Sequence, residues 1–196
     1  MLTNALLFLL QTVLGLLTLL FLLRFYFQLT KVSFQNPAAV WVVTLSNFAV
    51  RPTRRILGAV NNLGFTKLDA ATLLLAFLTQ LLLYLLSLAL KDFPLVIAAN
   101  SIWPKLLGLA GLGVINISLS LFLYAVLLQA ILSWLNPHTA LAPVLSALTA
   151  PTLNRLRKFV RPIGQLDISP LVFIISAQLL LTTLLMPLES KLLAAL

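Results

Sequence analysis

The chain has 196 residues, of which 61% are hydrophobic and only 9% are charged, whereas about a quarter of the residues are charged in ordinary globular proteins. A water-soluble fold is excluded, because too few polar side chains remain to cover its surface. Thirteen basic residues against four acidic ones give a formal charge of +9, so we predict a basic, all-α integral membrane protein and no nucleic-acid partner.

Four stretches are apolar enough to cross a bilayer, whose hydrocarbon core of about 30 Å requires about 20 helical residues. They cover about residues 2–27, 68–90, 106–135 and 168–188. The first has no basic segment before it and continues well beyond the apolar region of a signal peptide, so we expect a retained membrane helix. The last is expected to end near Pro187.

Two amphipathic segments, residues 37–57 and 141–161, follow the first and third spans. In the first segment a polar stripe that leads to basic residues lies opposite Trp41 and Phe48. The second segment has polar residues at a spacing of three: Ser146, Thr149, Thr152, Arg155 and Lys158. The apolar part of each segment is only about 15 residues long, which is too short to span, so we expect both segments to lie in the membrane interface or to dip into it.

Most of the basic residues lie in or beside the two connections that contain these segments. Basic residues in short loops are retained on the cytoplasmic side of a membrane. We therefore predict that both basic connections are cytoplasmic and that both termini lie outside.

The two halves of the chain resemble each other. Residues 52–57 correspond to residues 155–160 at an offset of 103, and residues 68–73 correspond to residues 166–171 at an offset of 98. We predict two repeats, residues 1–98 and 99–196, each built as helix, amphipathic interfacial segment and helix. Because each repeat crosses the membrane twice, the two copies run parallel, which favours a pseudo-two-fold axis along the membrane normal.

Specific motifs recur in the same order in each half. The first half carries Asn36-Pro37, Pro52-Thr53-Arg54-Arg55, Gly64 and Leu68-Asp69, and the second carries Ser133-Trp134, Pro151, Arg157-Lys158, Gly164 and Leu166-Asp167-Ile168-Ser169-Pro170. This order resembles the YggT family of bacterial membrane proteins over nearly the whole chain. One departure is Phe48, which stands where the first copy would match Pro151.

The resemblance implies a multi-pass protein of the bacterial cytoplasmic (inner) membrane. Relatives are associated with osmotic tolerance and potassium uptake, with cell-division gene neighbourhoods and, in chloroplasts, with cytochrome assembly. These associations do not converge on one reaction.

The basic residues near the ends of the amphipathic segments are candidates for binding lipid head groups or an acidic partner. They are Arg51, Arg54, Arg55, Arg155, Arg157, Lys158 and Arg161. Each basic side chain near an anionic membrane contributes about 1 kcal/mol of attraction. Membrane lipids with anionic head groups, a partner protein or a second copy of the chain are therefore the expected partners.

Asp69 and Asp167 occupy equivalent positions in the two repeats, each at the start of a span. A carboxylate at this place caps free backbone N–H groups and is favoured by the helix dipole. We expect helix capping, or an ion pair with a basic residue of the connections. A paired cation or proton site near the pseudo-axis is the alternative.

The spans contain few polar side chains. Those deep within them are Gln11, Gln80, Asn116, Gln129 and Gln178. We expect them to point between helices, where they form interhelical hydrogen bonds or line a hydrated pathway. Arg24, one turn from a helix end, is expected to snorkel to the interface.

The composition leaves little catalytic chemistry. The chain has no cysteine and one histidine, His138, which excludes thiolate nucleophiles and multi-histidine metal sites within one chain. No carboxylate pair and no nucleophile beside a base is evident in the sequence. We therefore predict no catalytic residue, no metal and no cofactor.

The function we expect is a non-enzymatic adaptor or assembly factor with a basic cytoplasmic face, linked to the cell envelope, cell division or osmotic tolerance. The alternative is a small oligomeric channel or transporter for ions, such as potassium, or for osmolytes.

Overall fold

The computed structural model describes residues 1–60, 69–91, 99–136, 139–160 and 167–194. Six residues of the predicted motifs and sites lie outside these ranges: Gly64, Leu68, His138, Arg161, Gly164 and Leu166. Within them the chain forms six helices and no strand. The helices are α1 (Leu2–Leu29), α2 (Pro37–Val60), α3 (Ala70–Ala89), α4 (Ala99–Leu135), α5 (Ala142–Leu156) and α6 (Ser169–Ala194).

Four helices in the described ranges are long and apolar enough to cross a bilayer. Their spans are Leu2–Leu29, Ala70–Ala89, Ile102–Ser133 and Ser169–Ala194. The helices α1 and α4 contain 28 and 37 residues, about 42 and 56 Å at the rise of an α-helix. Both exceed the thickness of the hydrocarbon core, so they tilt or extend into the head-group region. The predicted all-helical membrane fold with four spans is confirmed.

Two spans extend past the prolines at which the sequence predicted that they begin or end. The helix α4 begins at Ala99 and contains Pro104, and α6 continues past Pro187 to Ala194. Just before Pro187, residues Leu180–Leu185 form a wider, π-helical segment. Proline has no N–H to donate, and its ring crowds the carbonyl four residues earlier. The wider turns give room for this ring, so the helix continues where the sequence predicted its end.

The spans pack mainly within each repeat. The helix α1 contacts α3 most extensively, α4 contacts α6, and the contact of α3 with α4 joins the two repeats. The largest apolar cluster includes Phe21 and Phe27 of α1, Leu121 of α4 and Leu148 of α5. Both amphipathic helices therefore rest on the same bundle of spans, at the end that carries the two connections.

The helix α2 is apolar on two opposite sides. Ala39, Ser46 and Val50 are fully buried, and these small or medium side chains allow α2 to lie close to the bundle. Trp41 and Phe48 are exposed on the other side. In a bilayer, this second side meets lipid while the first one packs on protein.

Candidate functional site

The basic side chains predicted from the sequence are exposed at the C-terminal ends of the two amphipathic helices. We call this surface the basic face. Its described members are Arg51, Arg54, Arg55, Arg155, Arg157 and Lys158. Because two spans separate α2 from α5, the chain returns to the same side of the bundle, and both sets of residues face that side.

One arginine in each repeat is paired with an acid at the start of the next span. Arg54 forms an ion pair with Asp69, in which Nε lies 3.2 Å from Oδ1. Arg157 forms an ion pair with Asp167, in which Nη2 lies 2.7 Å and Nε 2.8 Å from Oδ2. The repeat offsets relate these pairs to each other. Each pair therefore ties the end of an amphipathic helix to the start of the span that follows.

The two acids differ in how they cap the next helix. Asp69 occupies the N-cap position of α3, but its carboxylate makes no capping hydrogen bond and is oriented toward Arg54 instead. Asp167 lies one residue before the N-cap of α6 and accepts a 3.0 Å hydrogen bond from the backbone N–H of Ser169. Both acids thus form an ion pair, and only Asp167 also binds a helical N–H group.

The environment of Asp167 favours its charged form. Burial acts to raise the pKa of this carboxyl, but hydrogen bonds from Ser169 and Arg157, together with the charge of Arg157, outweigh that effect and hold the pKa below its ordinary value. Among the described residues, no group of three or more acids or histidines could hold a metal ion. Asp69 and Asp167 are each engaged with an arginine of their own repeat.

The prediction that Arg24 snorkels to the interface was wrong. Arg24 is only 4% exposed, because α2 lies across the end of α1 and covers the route to the interface. Its Nη1 donates hydrogen bonds to the carbonyl oxygen of Val43 at 3.2 Å, to Ser46 Oγ at 2.7 Å and to Asn47 Oδ1 at 2.9 Å. Its Nε is buried without a partner in the described part of the chain. Arg24 therefore fastens α2 to α1.

The second repeat makes an equivalent contact with neutral groups. Thr149 of α5 is fully buried, and its hydroxyl donates a hydrogen bond to Gln129 Oε1 of α4. Thr149 lies 103 residues after Ser46, which is one of the repeat offsets, and Gln129 lies 105 residues after Arg24. Thr149 thus faces the bundle, although its spacing in the sequence predicted that it belongs to the polar stripe. In both repeats a polar residue of the span contacts a hydroxyl residue of the amphipathic helix, and the two residues of one contact correspond to those of the other. This correspondence between the repeats could have indicated both contacts from the sequence.

The other polar residues of the spans differ in burial, and Asn116 is half-buried and accepts a hydrogen bond from Ser120 of its own helix. Gln80 is buried, and its Nε2 donates a 3.1 Å hydrogen bond to Thr18, whose hydroxyl lies 2.9 Å from that of Thr79. Gln11 and Gln178 are exposed on the single chain, so the expectation that they point between helices was wrong. They lie on α1 and α6, the spans with the smallest buried share, where most positions face outward.

Four basic side chains of the face form no ion pair within the described ranges. They are Arg51, Arg55, Arg155 and Lys158. A large apolar side chain follows the basic pair in each repeat, namely Ile56, which is 70% exposed, and Phe159, which is 85% exposed. At a membrane surface, such a side chain enters the acyl region while its basic neighbours remain at the phosphates. The arrangement is suited to an anionic, partly apolar surface.

Comparisons with known proteins agree with this repeated architecture. The sequence profile described as CCB3/YggT matches residues 3–90 and 109–188, so it matches each half once. The chain is 31% identical to "Uncharacterized protein YggT" of Escherichia coli (strain K12) over 174 residues, which cover 88% of this chain and 85% of the relative. It is 32% identical to an uncharacterized protein of Pseudomonas aeruginosa over 181 residues, 91% of this chain and 87% of that protein. No solved structure matches the chain significantly. On the double profile match and these relatives, the resemblance predicted from the motifs is confirmed, and the chain belongs to the CCB3/YggT family.

Proposed function

We propose that this protein is a non-enzymatic membrane adaptor that holds an acidic protein partner at the basic face. The observation that carries the proposal is a division of roles among the basic residues. Arg54 and Arg157 are engaged by Asp69 and Asp167, whereas four exposed basic side chains form no ion pair in the described ranges: Arg51, Arg55, Arg155 and Lys158. Arg155 also lines a cleft, so the proposal rests on the other three.

An available guanidinium or ammonium group binds a partner carboxylate without first giving up an existing ion pair. Charge-assisted hydrogen bonds of this kind are about twice as strong as neutral ones. Clustered charges of one sign also steer an acidic partner toward the surface and raise its association rate. Such an adaptor fits the links to the cell envelope, cell division or osmotic tolerance that membership of the family suggests.

The proposal places the basic face in the cytoplasm, as expected for basic loops. Reporter fusions after Lys91 and after Ala194 test this placement, because both positions lie at the ends of the spans that are farthest from the basic face. A reporter that is active only outside the cytoplasm should be active at both positions, and one that is active only in the cytoplasm should be inactive at both. Cytoplasmic activity at both sites would reverse the orientation and remove the basis of a cytoplasmic adaptor.

Photo-crosslinking in cells tests the adaptor role. Thr44 is exposed on α2, two turns before Arg51 on the same side of the helix, so a photoreactive residue at this position samples the basic face without replacing a basic side chain. We expect a discrete protein adduct whose crosslinked peptide is acidic. The triple variant Arg51→Gln, Arg55→Gln, Lys158→Gln should reduce that adduct at least about tenfold, because each lost contact is worth about 1 kcal/mol.

The matched control neutralises Lys91 and Lys191, which lie at the other end of the spans and are also exposed. This control should insert normally and retain the adduct. An undiminished adduct in the triple variant, an equal loss in the control or the absence of any protein adduct would each reject the proposal.

A further inference from the structure

A cleft of about 540 Å³ opens beside α5, near the basic face. Arg155 and Thr152 of α5, together with Thr30 just after α1, contribute its polar lining. Phe122 of α4, Phe173 of α6 and Phe159 just after α5 contribute its aromatic lining. Leu29, the last residue of α1, also lines it. The cleft therefore lies where spans end, at the level at which head groups meet acyl chains.

The polar groups of this cleft suit an anion. Arg155 is exposed and has no ion pair in the described ranges, and the hydroxyl of Thr152 makes no hydrogen bond there. Arginine matches the geometry of a phosphate group, and a free hydroxyl adds a further donor. Phe122 and Phe173 lie on two other helices that line the cleft, α4 and α6, and offer an apolar wall. Charge and polarity thus divide along the cleft as they do along a phospholipid.

The first repeat lacks these polar groups. At the repeat offset of 103, Pro52 corresponds to Arg155 and Ala49 corresponds to Thr152. The basic residues of the first copy, Arg51 and Arg55, instead line a separate cleft of about 320 Å³ with Phe48. General attraction between a basic loop and a membrane needs no such difference between the two copies. The combination of an arginine with a free hydroxyl, Arg155 with Thr152, is therefore a feature of the second repeat alone.

We propose that the cleft between α4, α5 and α6 is a binding site for one anionic phospholipid. Arg155 and Thr152 bind its phosphate, and an acyl chain lies along Phe122 and Phe173. The volume suits a head group and part of one chain, since sites for small ligands commonly measure about 300–1,000 Å³. This site is separate from the adaptor proposal, because Arg51, Arg55 and Lys158 do not line it.

Lipid titration of the purified full-length protein tests the site. The protein is placed in phosphatidylcholine nanodiscs or mild detergent, and phosphatidylglycerol is added while the unfolding temperature and bound lipid are measured by thermal assay and native mass spectrometry. We expect one phosphatidylglycerol to bind in preference to phosphatidylcholine and to raise the unfolding temperature. Arg155→Gln should weaken this binding about tenfold, as loss of one charge-assisted phosphate contact predicts.

Lys158→Gln is the matched control, since it removes the same charge from a neighbouring exposed position that does not line the cleft. It should change lipid affinity less than about threefold. Thr152→Val and Arg155→Lys provide further variants if Arg155→Gln folds poorly, and Thr152→Val should weaken binding while Arg155→Lys retains part of it. Equal losses in Arg155→Gln and Lys158→Gln would show diffuse attraction and reject the site.

Soluble glycerophosphoglycerol separates a lipid site from a phosphate site. It carries the head-group phosphate without acyl chains, so it should compete weakly if the aromatic wall contributes. Competition as strong as that of the intact lipid would overturn the phospholipid assignment. If the parent chain shows no preference for phosphatidylglycerol over phosphatidylcholine, the proposal is also rejected.

Discussion

Arg24 and Ser46 meet inside the bundle, where Nη1 of Arg24 lies 2.7 Å from the hydroxyl oxygen of Ser46. The hydroxyl of Ser46 in turn donates to the carbonyl oxygen of Val42 at 2.7 Å. A buried cation is costly unless its hydrogen bonds are satisfied, so α2 serves as the solvating surface for Arg24. This makes the attachment of α2 dependent on one side chain of α1.

Replacing Arg24 with Leu should therefore loosen α2. The loss of a charged donor to three acceptors should lower the free energy of unfolding by about 2 kcal/mol. Because the natural chain has no cysteine, a single Val50→Cys substitution reports on α2 through thiol labelling. Val50 is fully buried, so labelling should be slow in the parent and clearly faster with Arg24→Leu. Arg24→Gln, which introduces the residue type found at Gln129, should have a smaller effect. Equal labelling rates in all three proteins would contradict the attachment.

The two ion pairs should differ in strength. The side chain of Asp69 is 7% exposed and that of Asp167 is 38% exposed, so water and salt screen the first pair less. A double-mutant cycle with Arg54→Gln and Asp69→Asn should yield a coupling energy of about 1 kcal/mol. The cycle with Arg157→Gln and Asp167→Asn should yield less and should depend more on salt. The reverse order would show that burial does not control these pairs.

The architecture was accessible from the sequence because it depends on local signals. The lengths of the apolar runs predict the spans, and the recurring Leu-Asp and basic pairs predict two copies. The ion pairs were within reach as well, since Asp69 and Asp167 are two of only four acids and each adjoins a basic connection. Sequence alone left several basic partners open for each acid, and the structure selects Arg54 and Arg157.

Features that depend on how helices cover one another were not accessible. Helical spacing places Thr149 among polar neighbours, yet α5 turns it toward Gln129, because the buried side of a helix is set by the helix packed against it. Arg24 illustrates the same limit, since its distance from a helix end does not reveal that α2 covers it. The π-helical segment before Pro187 shows that a helix can continue past a proline when its preceding turns widen.

Asp167 should make stability depend on pH in the acidic range. Its folded-state pKa lies below its ordinary value, so its contribution to stability is fully present above the unfolded-state pKa of about 3.9 and is lost as the pH falls through the folded-state pKa. The parent should thus be more stable than Asp167→Asn at pH 6, and the difference should shrink below about pH 4. Thermal unfolding of both proteins across this range is the measurement. A constant difference at all pH values would show that the charge of Asp167 is not responsible.

Close packing around Gly113 should make this glycine sensitive to substitution. A Cβ atom at Gly113 would overlap the side chain of Gln80, which is buried and bonded to Thr18. Gly113→Ala should therefore lower the free energy of unfolding by about 1–3 kcal/mol, as overpacking commonly does. Gly111→Ala is the matched control, because a Cβ at that position meets no atom within 4 Å. Its stability should be unchanged or slightly raised, since alanine favours a helix over glycine.

A second substitution separates crowding from other effects of the new methyl group. Gln80→Ala removes the side chain that the methyl group would strike, although it also removes the hydrogen bond to Thr18. If crowding is the cause, adding Gly113→Ala to Gln80→Ala should cost much less than adding it to the parent. Chemical unfolding of the four proteins in one detergent measures this difference. An equal cost in both backgrounds would contradict crowding against Gln80.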